Sequence, residues 1–438
     1  MTLRIQILIL LLVSLAEAQN QLPLSLKRAV EIALAPDGST RVALADETVK
    51  QAAAKVVQAR NAFKPVIDSS VTERSQTVNL RTFGFDFSFP GFSLPSVVGP
   101  FQVFDMRASA QSPVLDYGII RRLRAARSSE SASKLELEVT KNQVSDRVAR
   151  AYLAALRADA ALETSQANVD LSDALVKLAD SQRRAGSGTG IEVTRAQVQL
   201  ANSRQRMIVA QNDRRRAELE LFRTMGLDLG SRVSFTDKLA FRVVDIRAAE
   251  TELTKARAER AELKTQKQRE QTARLNLDAL KAENLPSVAA FADYGGIGRN
   301  PSDIKATHLV GVTVKIPIFD SRRTGRQVDS SLALRSEQIR TRDVEQQVEL
   351  DVRLALDSLR SAQAQVETSQ EGLSLAENEL AQARRRYEAG VTNSIEVTDA
   401  QTRLDRARDN QIAALYNYTL ARIDLATATG TIAEYVNQ

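Results

Sequence analysis

Arg183–Leu200 reads RRAGSGTGIEVTRAQVQL, and Tyr387–Leu404, 204 positions later, reads YEAGVTNSIEVTDAQTRL. Nine of these 18 positions are identical: Ala185/Ala389, Gly186/Gly390, Ile191/Ile395, Glu192/Glu396, Val193/Val397, Thr194/Thr398, Ala196/Ala400, Gln197/Gln401 and Leu200/Leu404. The same offset pairs Pro113 with Pro317, Asp116 with Asp320, the ETSQ of Glu163–Gln166 with that of Glu367–Gln370, and Gly226 with Gly430. Two gap-free copies of one long unit therefore fill most of the chain. An internal repeat decides the architecture before any single residue can.

Within each copy the helical signal is long. Ile119–Ala185 contains neither Gly nor Pro over 67 residues. At ~1.5 Å per residue such a helix reaches about 100 Å. Val144, Val148, Ala151, Ala155, Ala158 and Leu162 fall at 4-3-4-3-4 spacing, which is a coiled-coil seam. Arg322–Ala389 is the counterpart, broken only by Gly325 and Gly372. Gly-centred turns at Ala185–Gly190 and Ala389–Ser394 return the chain into helices at about Ile191–Met225 and Ile395–Thr429. The prediction is two helical hairpins, 119–226 and 322–430. Shorter helices are expected at Ser25–Ala35 and Thr40–Phe63, separated by Pro36-Asp37-Gly38, and as one element at about Arg247–Glu283.

Strand-like segments lie between the helices, at about 66–82, 101–113, 286–296 and 308–317. In Phe101–Ala110, Phe104, Met106, Ala108 and Ala110 share one face, and Asp105, Arg107 and Ser109 the other. In His308–Ile316, Val310, Val312, Val314 and Ile316 oppose Gly311, Thr313 and Lys315. Apolar-out, polar-in alternation is what a transmembrane barrel strand needs; a soluble sandwich edge is the other reading. Phe83, Phe85, Phe87 and Phe89 alternate in a loop or strand tip, as an aromatic girdle would. Four strands cannot close a barrel, and an open edge in lipid is too costly. Either the strands stay out of the membrane or several chains pool them; three chains of four would give twelve.

Met1–Ala18 (MTLRIQILILLLVSLAEA) has a positive start, an apolar stretch and a small-x-small end. It reads as a secretory signal, too short to span a membrane. The expected layout is a signal at 1–18, a first repeat at 19–230, an inter-repeat segment at 231–245 and a second repeat at 246–438. The chain has no cysteine, so disulfides, thiolate zinc sites, cysteine nucleophiles and an acylated N-terminal cysteine are not expected. Net charge is +6, with both signs interspersed as on solvated helix faces rather than in a nucleic-acid patch. The single histidine, His308, has no catalytic context, and the Gly186–Gly190 turn follows a helix and lacks a P-loop lysine. No enzyme, cofactor, metal site or nucleic-acid partner is expected.

The signal, the repeat, Pro113-Val-Leu-Asp116 and Pro317-Ile-Phe-Asp320 before the long helices, and Tyr387-x-x-Gly390-x-x-x-x-Ile395-Glu396-Val397-x-x-Ala400-Gln401 resemble TolC-type outer-membrane efflux proteins. The resemblance covers about Ser25 to Gly430. It implies a mainly α chain with a β-barrel portion. Three copies would form a homotrimer with a 12-stranded barrel in outer-membrane lipid, continuous with a 12-helix periplasmic α-barrel. It further implies a passive exit duct of a tripartite efflux or type I secretion system, gated at its periplasmic tip and docking a periplasmic adaptor (membrane fusion) protein and an inner-membrane transporter. Most of the chain would lie in the periplasm. Carried over residue by residue, Glu396 and Asp399 match acids lining the periplasmic aperture, and three-fold repetition would make them cation-selective rings. Tyr387 and Glu192 match a tip latch, whose basic position is occupied here by Thr392. Gly186, Gly190, Gly390 and Asn393 belong to the hairpin turns, where the adaptor is expected to dock. Ser231–Val244 is expected to join an equatorial belt, reduced because only eight residues follow Gly430. The alternative is a secreted periplasmic coiled-coil adaptor or structural protein, which shares the signal and hairpins but needs no paired barrel strands.

Overall fold

The computed structural model describes residues 22–36, 38–84, 88–89, 91–93, 95–243 and 249–437. The expected signal peptide lies outside them, as do Phe85 and Phe87. The chain divides into two compact units. One comprises Met1–Thr48, Lys134–Thr265 and Thr341–Gln438; the other comprises Val49–Ser133 and Gln266–Arg340. Each unit therefore draws on both sequence repeats.

The smaller unit carries a four-stranded antiparallel sheet. Its strands are Val66–Asn79, Val97–Leu115, Ser287–Gly298 and Lys305–Lys315, hydrogen-bonded in that order. The register sets the two faces. Ala108 lies opposite Tyr294, and Tyr294 opposite His308, so the apolar positions of neighbouring strands share one side. Arg107 is on the other side, held by Asp105 at 2.8 Å and by Asp293 of the next strand at 3.0 Å. Val310, Val312 and Val314 are exposed on the apolar face, and among the described residues the first and last strands each leave one edge unpaired. The first strand stops at Asn79, whose side chain caps a 3-10 turn at Leu80–Phe83. Phe83 is therefore in a turn, not a strand. Phe89 sits in a two-residue ladder, Ser88–Phe89 against Phe92–Ser93.

The Pro-x-x-Asp motifs have a local cause. Asp116 Oδ1 accepts the Ile119 N–H at 3.0 Å, and Asp320 Oδ1 accepts the Arg322 N–H at 3.0 Å. Each aspartate thereby caps a 68-residue helix, Tyr117–Arg184 or Ser321–Glu388. The return helices are Gly190–Met225 and Ser394–Thr429. They end at Gly226 (φ 77°) and Gly430 (φ 78°) in the left-handed conformation that favours glycine.

One expectation fails. The segment predicted as a single helix from Arg247 to Glu283 is two helices, Ala249–Glu259 and Ala261–Ala282, interrupted at Arg260. The break has no Gly or Pro. It is fixed by tertiary contacts within the larger unit: Arg260 Nη1 lies 2.7 Å from Asp351 and 3.4 Å from the Ala428 carbonyl oxygen, which it meets as a donor. The backbone of Arg260 also abuts Gly430, where an added Cβ would come within 2.9 Å. The first repeat solves the same problem with Pro36-Asp37-Gly38, and Gly226 abuts Gly38 in the same way. The helices after the two breaks, Thr40–Asn61 and Ala261–Ala282, are both 22 residues long and 221 positions apart.

The core of the larger unit gathers Leu24, Val30, Val148, Tyr152, Phe222, Met225 and Val233 around the long first-repeat helix. Val144, Val148 and Ala155 of the predicted seam are buried, while Ala151, Ala158 and Leu162 are half-buried. The inter-repeat segment contributes Val233–Phe235, paired in parallel with Leu22–Leu24. Asp237 ties this ladder down: its Oδ2 accepts the Leu26 N–H at 2.8 Å and lies 2.8 Å from the Tyr152 hydroxyl.

Candidate functional site at the hairpin turns

The two hairpin turns are built alike. Gly186 (φ 79°) and Gly390 (φ 71°) reverse the chain in the left-handed region. Gly190 then opens one return helix, and Asn393 caps the other, its Oδ1 accepting the Ile395 N–H at 3.0 Å. Gln182 bridges the hairpins, donating from Nε2 to the Tyr387 carbonyl at 3.0 Å.

The structure brings Tyr387 and Glu192 to one small cavity without bonding them. The cavity, about 20 Å³, is lined by Glu192, Tyr387, Ser394 and Gln401 among others. Tyr387 is buried and its hydroxyl has no hydrogen-bond partner among the described residues. Burial, and then the Glu192 charge, push that hydroxyl above its ordinary pKa. Glu192 is committed locally, accepting the Thr189 N–H at 2.8 Å as the return arm of a helix cap. Thr392 turns the other way, and its hydroxyl donates to the Glu396 carboxylate. Arg386 Nε lies 3.4 Å from the same carboxylate. Asp399 is exposed, with no hydrogen bond or ion pair among the described residues.

Further along the hairpins lies a polar seam that sequence reading missed. Gln401 Nε2 donates to Ser172 Oγ at 2.6 Å, and Ser172 Oγ is 3.1 Å from Ser203 Oγ. Arg206 reaches both Ser203 at 3.3 Å and Asp405 Oδ2 at 2.8 Å. Arg408 donates to Asn168 Oδ1 at 2.6 Å. Asp405 is 5% exposed, and its Oδ1 has no partner among the described residues. Burial raises its pKa, and the opposing pull of Arg206 is the smaller effect. A sequence signal existed. Gln401 and Asp405 are polar residues one turn apart in a stripe otherwise formed by Val397, Ala400 and Leu404, all buried. A core stripe that carries polar residues needs partners for them.

Among the described residues, no helix is long and apolar enough to cross a membrane, and no cluster of ligating side chains could hold a metal. What remains is a repeated hairpin pair and a sheet with one apolar face. The family profile for outer membrane efflux proteins matches residues 33–227 and 253–431. The chain belongs to that family. Curated relatives agree across most of the chain. The pyoverdine export outer membrane protein OpmQ of Pseudomonas putida is 23% identical over 91% of this chain and 84% of its own length. The outer membrane protein TolC of Vibrio cholerae is 23% identical over 66% of this chain and 68% of its own length. The alkaline protease secretion protein AprF of Pseudomonas aeruginosa is 22% identical over 74% and 69%.

Solved structures give the same fold. The Campylobacter jejuni CmeC outer membrane channel superposes with a TM-score of 0.76 at 16% identity, covering 94% of this chain and 88% of that one. The Vibrio cholerae outer membrane protein VceC gives 0.75 at 18%, covering 92% and 96%. This member of the outer membrane efflux family is thus an outer-membrane channel protein for efflux or secretion, not an enzyme.

Proposed function

We propose that the chain is one third of a passive exit duct, a homotrimer in which three four-stranded sheets close a 12-stranded barrel and the helical hairpins continue as a 12-helix periplasmic tunnel. The observation that carries this reading is the sheet itself. It has one apolar and one polar face, and its outer strands leave unpaired edges that lipid would not tolerate. The Gly-centred turns form the periplasmic tip, which gates the duct and docks an adaptor coupled to an inner-membrane transporter. The duct itself supplies no energy. OpmQ and AprF are named for unlike cargoes, a pyoverdine and an alkaline protease. The cargo of this duct is accordingly set by the transporter it serves.

The repeat supplies a register for the closure. Within the chain, Ala108 of the first repeat faces Tyr294 of the second. Moving Ala108 forward by the 204-residue offset and Tyr294 back by the 221-residue offset puts Val312 of one copy opposite Glu73 of the next. Both share the sheet face that carries Ala108 and Tyr294, which is the lipid side in the proposed barrel. The chain has no native cysteine, so Val312→Cys with Glu73→Cys is a clean test. Oxidation is expected to give covalent trimers, because residues directly opposite in a ladder lie ~4.5–5.5 Å apart at Cβ. A detergent-solubilised protein that remains monomeric and fails to cross-link contradicts the assembly.

Glu396 and Asp399 are assigned to the aperture. Arg386 already offsets part of the Glu396 charge, so Asp399 carries the larger share of the field. In planar bilayers, Asp399→Ala is expected to reduce cation preference more than Glu396→Ala, and the double variant to abolish it at unchanged trimer yield. A double variant with the parent's preference places the aperture elsewhere.

A further inference from the structure

Three buried polar atoms near the turns make no hydrogen bond among the described residues: the Tyr387 hydroxyl, Ser394 Oγ and Gln401 Oε1. Tyr387 is 5%, Ser394 8% and Gln401 0% exposed. All three residues line the same cavity of about 20 Å³, and so does Glu192 of the other hairpin. Leaving three such groups without partners is costly, and native interiors resolve that cost with a partner or an ordered water. A cavity of ~10–15 Å³ or more, with two to four polar partners, holds one water.

We propose that this cavity is a binding site for a single structural water that joins the two hairpins, with Gln401 and Ser394 as positioning residues for tip closure. The donor and acceptor count fits a water. Gln401 Oε1 can only accept, and its Nε2 is already given to Ser172. Glu192 has one carboxylate oxygen beyond the Oε2 that serves the Thr189 N–H. These two take the two water protons. The Tyr387 and Ser394 hydroxyls both donate to the water oxygen, completing four bonds. A sodium ion would satisfy the oxygens but leave both hydroxyl protons without acceptors. The water therefore belongs to neither hairpin alone, and parting the hairpins breaks its shell. The same shell runs outward through Gln401, Ser172, Ser203 and Arg206 to Asp405, so the joint is backed by a continuous hydrogen-bonded seam.

The consequence for closure rests on the gated-duct reading; the site does not. A high-resolution electron cryomicroscopy map of the full-length parent protein tests the site directly. A density peak within hydrogen-bond distance of Tyr387, Ser394 and Gln401 is expected. An empty cavity, or a Tyr387 hydroxyl bonded directly to the Glu192 carboxylate, overturns it. Single-channel recording of Ser394→Ala, Gln401→Leu and the double variant tests the shared ligand. Each single change is expected to raise the open fraction about ten-fold and the double change scarcely more, whereas independent roles would multiply to about a hundred-fold and overturn it. A map that holds the water, with open fractions unchanged, would retire the gating reading and leave the site standing.

Discussion

Gly226→Ala and Gly430→Ala are expected to be the most damaging glycine-to-alanine changes in the two helical hairpins, each costing about 3 kcal/mol or more. Two costs add. An alanine held at positive φ loses roughly 1–2 kcal/mol. The new methyl also has no room: at Gly226 it would stand 2.5 Å from the Gly38 carbonyl oxygen, and at Gly430 2.9 Å from the Arg260 backbone. Forcing atoms into a filled space adds ~1–3 kcal/mol. Gly186→Ala and Gly390→Ala serve as controls. They share the positive φ, but nothing lies within 4 Å of the added atom. Their cost is expected to stay near 1 kcal/mol. Thermal unfolding of the four purified variants in one detergent separates the two classes. Equal losses across all four would mean that the close approach at the helix breaks contributes nothing.

Asp405→Asn should leave the protein at least as stable as the parent at neutral pH, whereas Arg206→Met should destabilise it by about 2 kcal/mol. The pairing distance of 2.8 Å suggests that Asp405 is held as an anion by its partner, but burial outweighs that partner. The folded carboxyl therefore keeps its proton to higher pH than the unfolded one, whose reference value is 3.8. Between the two values the folded state binds more protons, so this contribution to stability falls as pH rises through that window. Asp409 is shifted the same way by its own burial. The amide of Asp405→Asn is neutral at every pH, so the variant should lose that part of the slope. Arg206→Met removes the nearest counter-charge together with the weaker bond to Ser203. A fully buried pair broken in this way costs ~3–5 kcal/mol, and the half-exposed Arg206 brings the figure down. Thermal midpoints of parent and variants from about pH 4 to about pH 7 check both, since the cost of Arg206→Met should shrink toward the acid end where Asp405 is protonated. An Asn variant as damaged as Arg206→Met at neutral pH would show that the anion is the favoured form.

The long helices and the strand faces could be read in advance because their causes are local. A 67-residue run without Gly or Pro propagates as helix, and period-two alternation sorts a strand's faces. The break at Arg260 could not, because no residue there opposes a helix; Asp351, Ala428 and Gly430, far along the chain, impose it. Identity between the repeats also misleads at the side-chain level. Gln197 and Gln401 are equivalent in sequence, yet the first is exposed and the second fully buried. Glu192 and Glu396 likewise match, but one caps its helix and the other meets Thr392 and Arg386. Duplication transmits the backbone, and each copy then meets different neighbours. That is why the hairpins were legible, and why the polar pair Gln401 and Asp405 stood out in the stripe while their partners Ser172 and Arg206 did not.

The two bare sheet edges also govern how the chain is made. Val66–Asn79 and Lys305–Lys315 present rows of backbone donors and acceptors from the moment the sheet forms. In the proposed trimer a sibling chain covers these edges; before that pairing, any extended strand in water competes for them, and the exposed Val310, Val312 and Val314 favour that competition. On that proposed assembly, biogenesis is a race between correct association, which depends on the supply of sibling chains, and off-pathway pairing, which depends on total unassembled chain. Expression faster than delivery to the membrane tips the race toward aggregates without any defect in the mature protein.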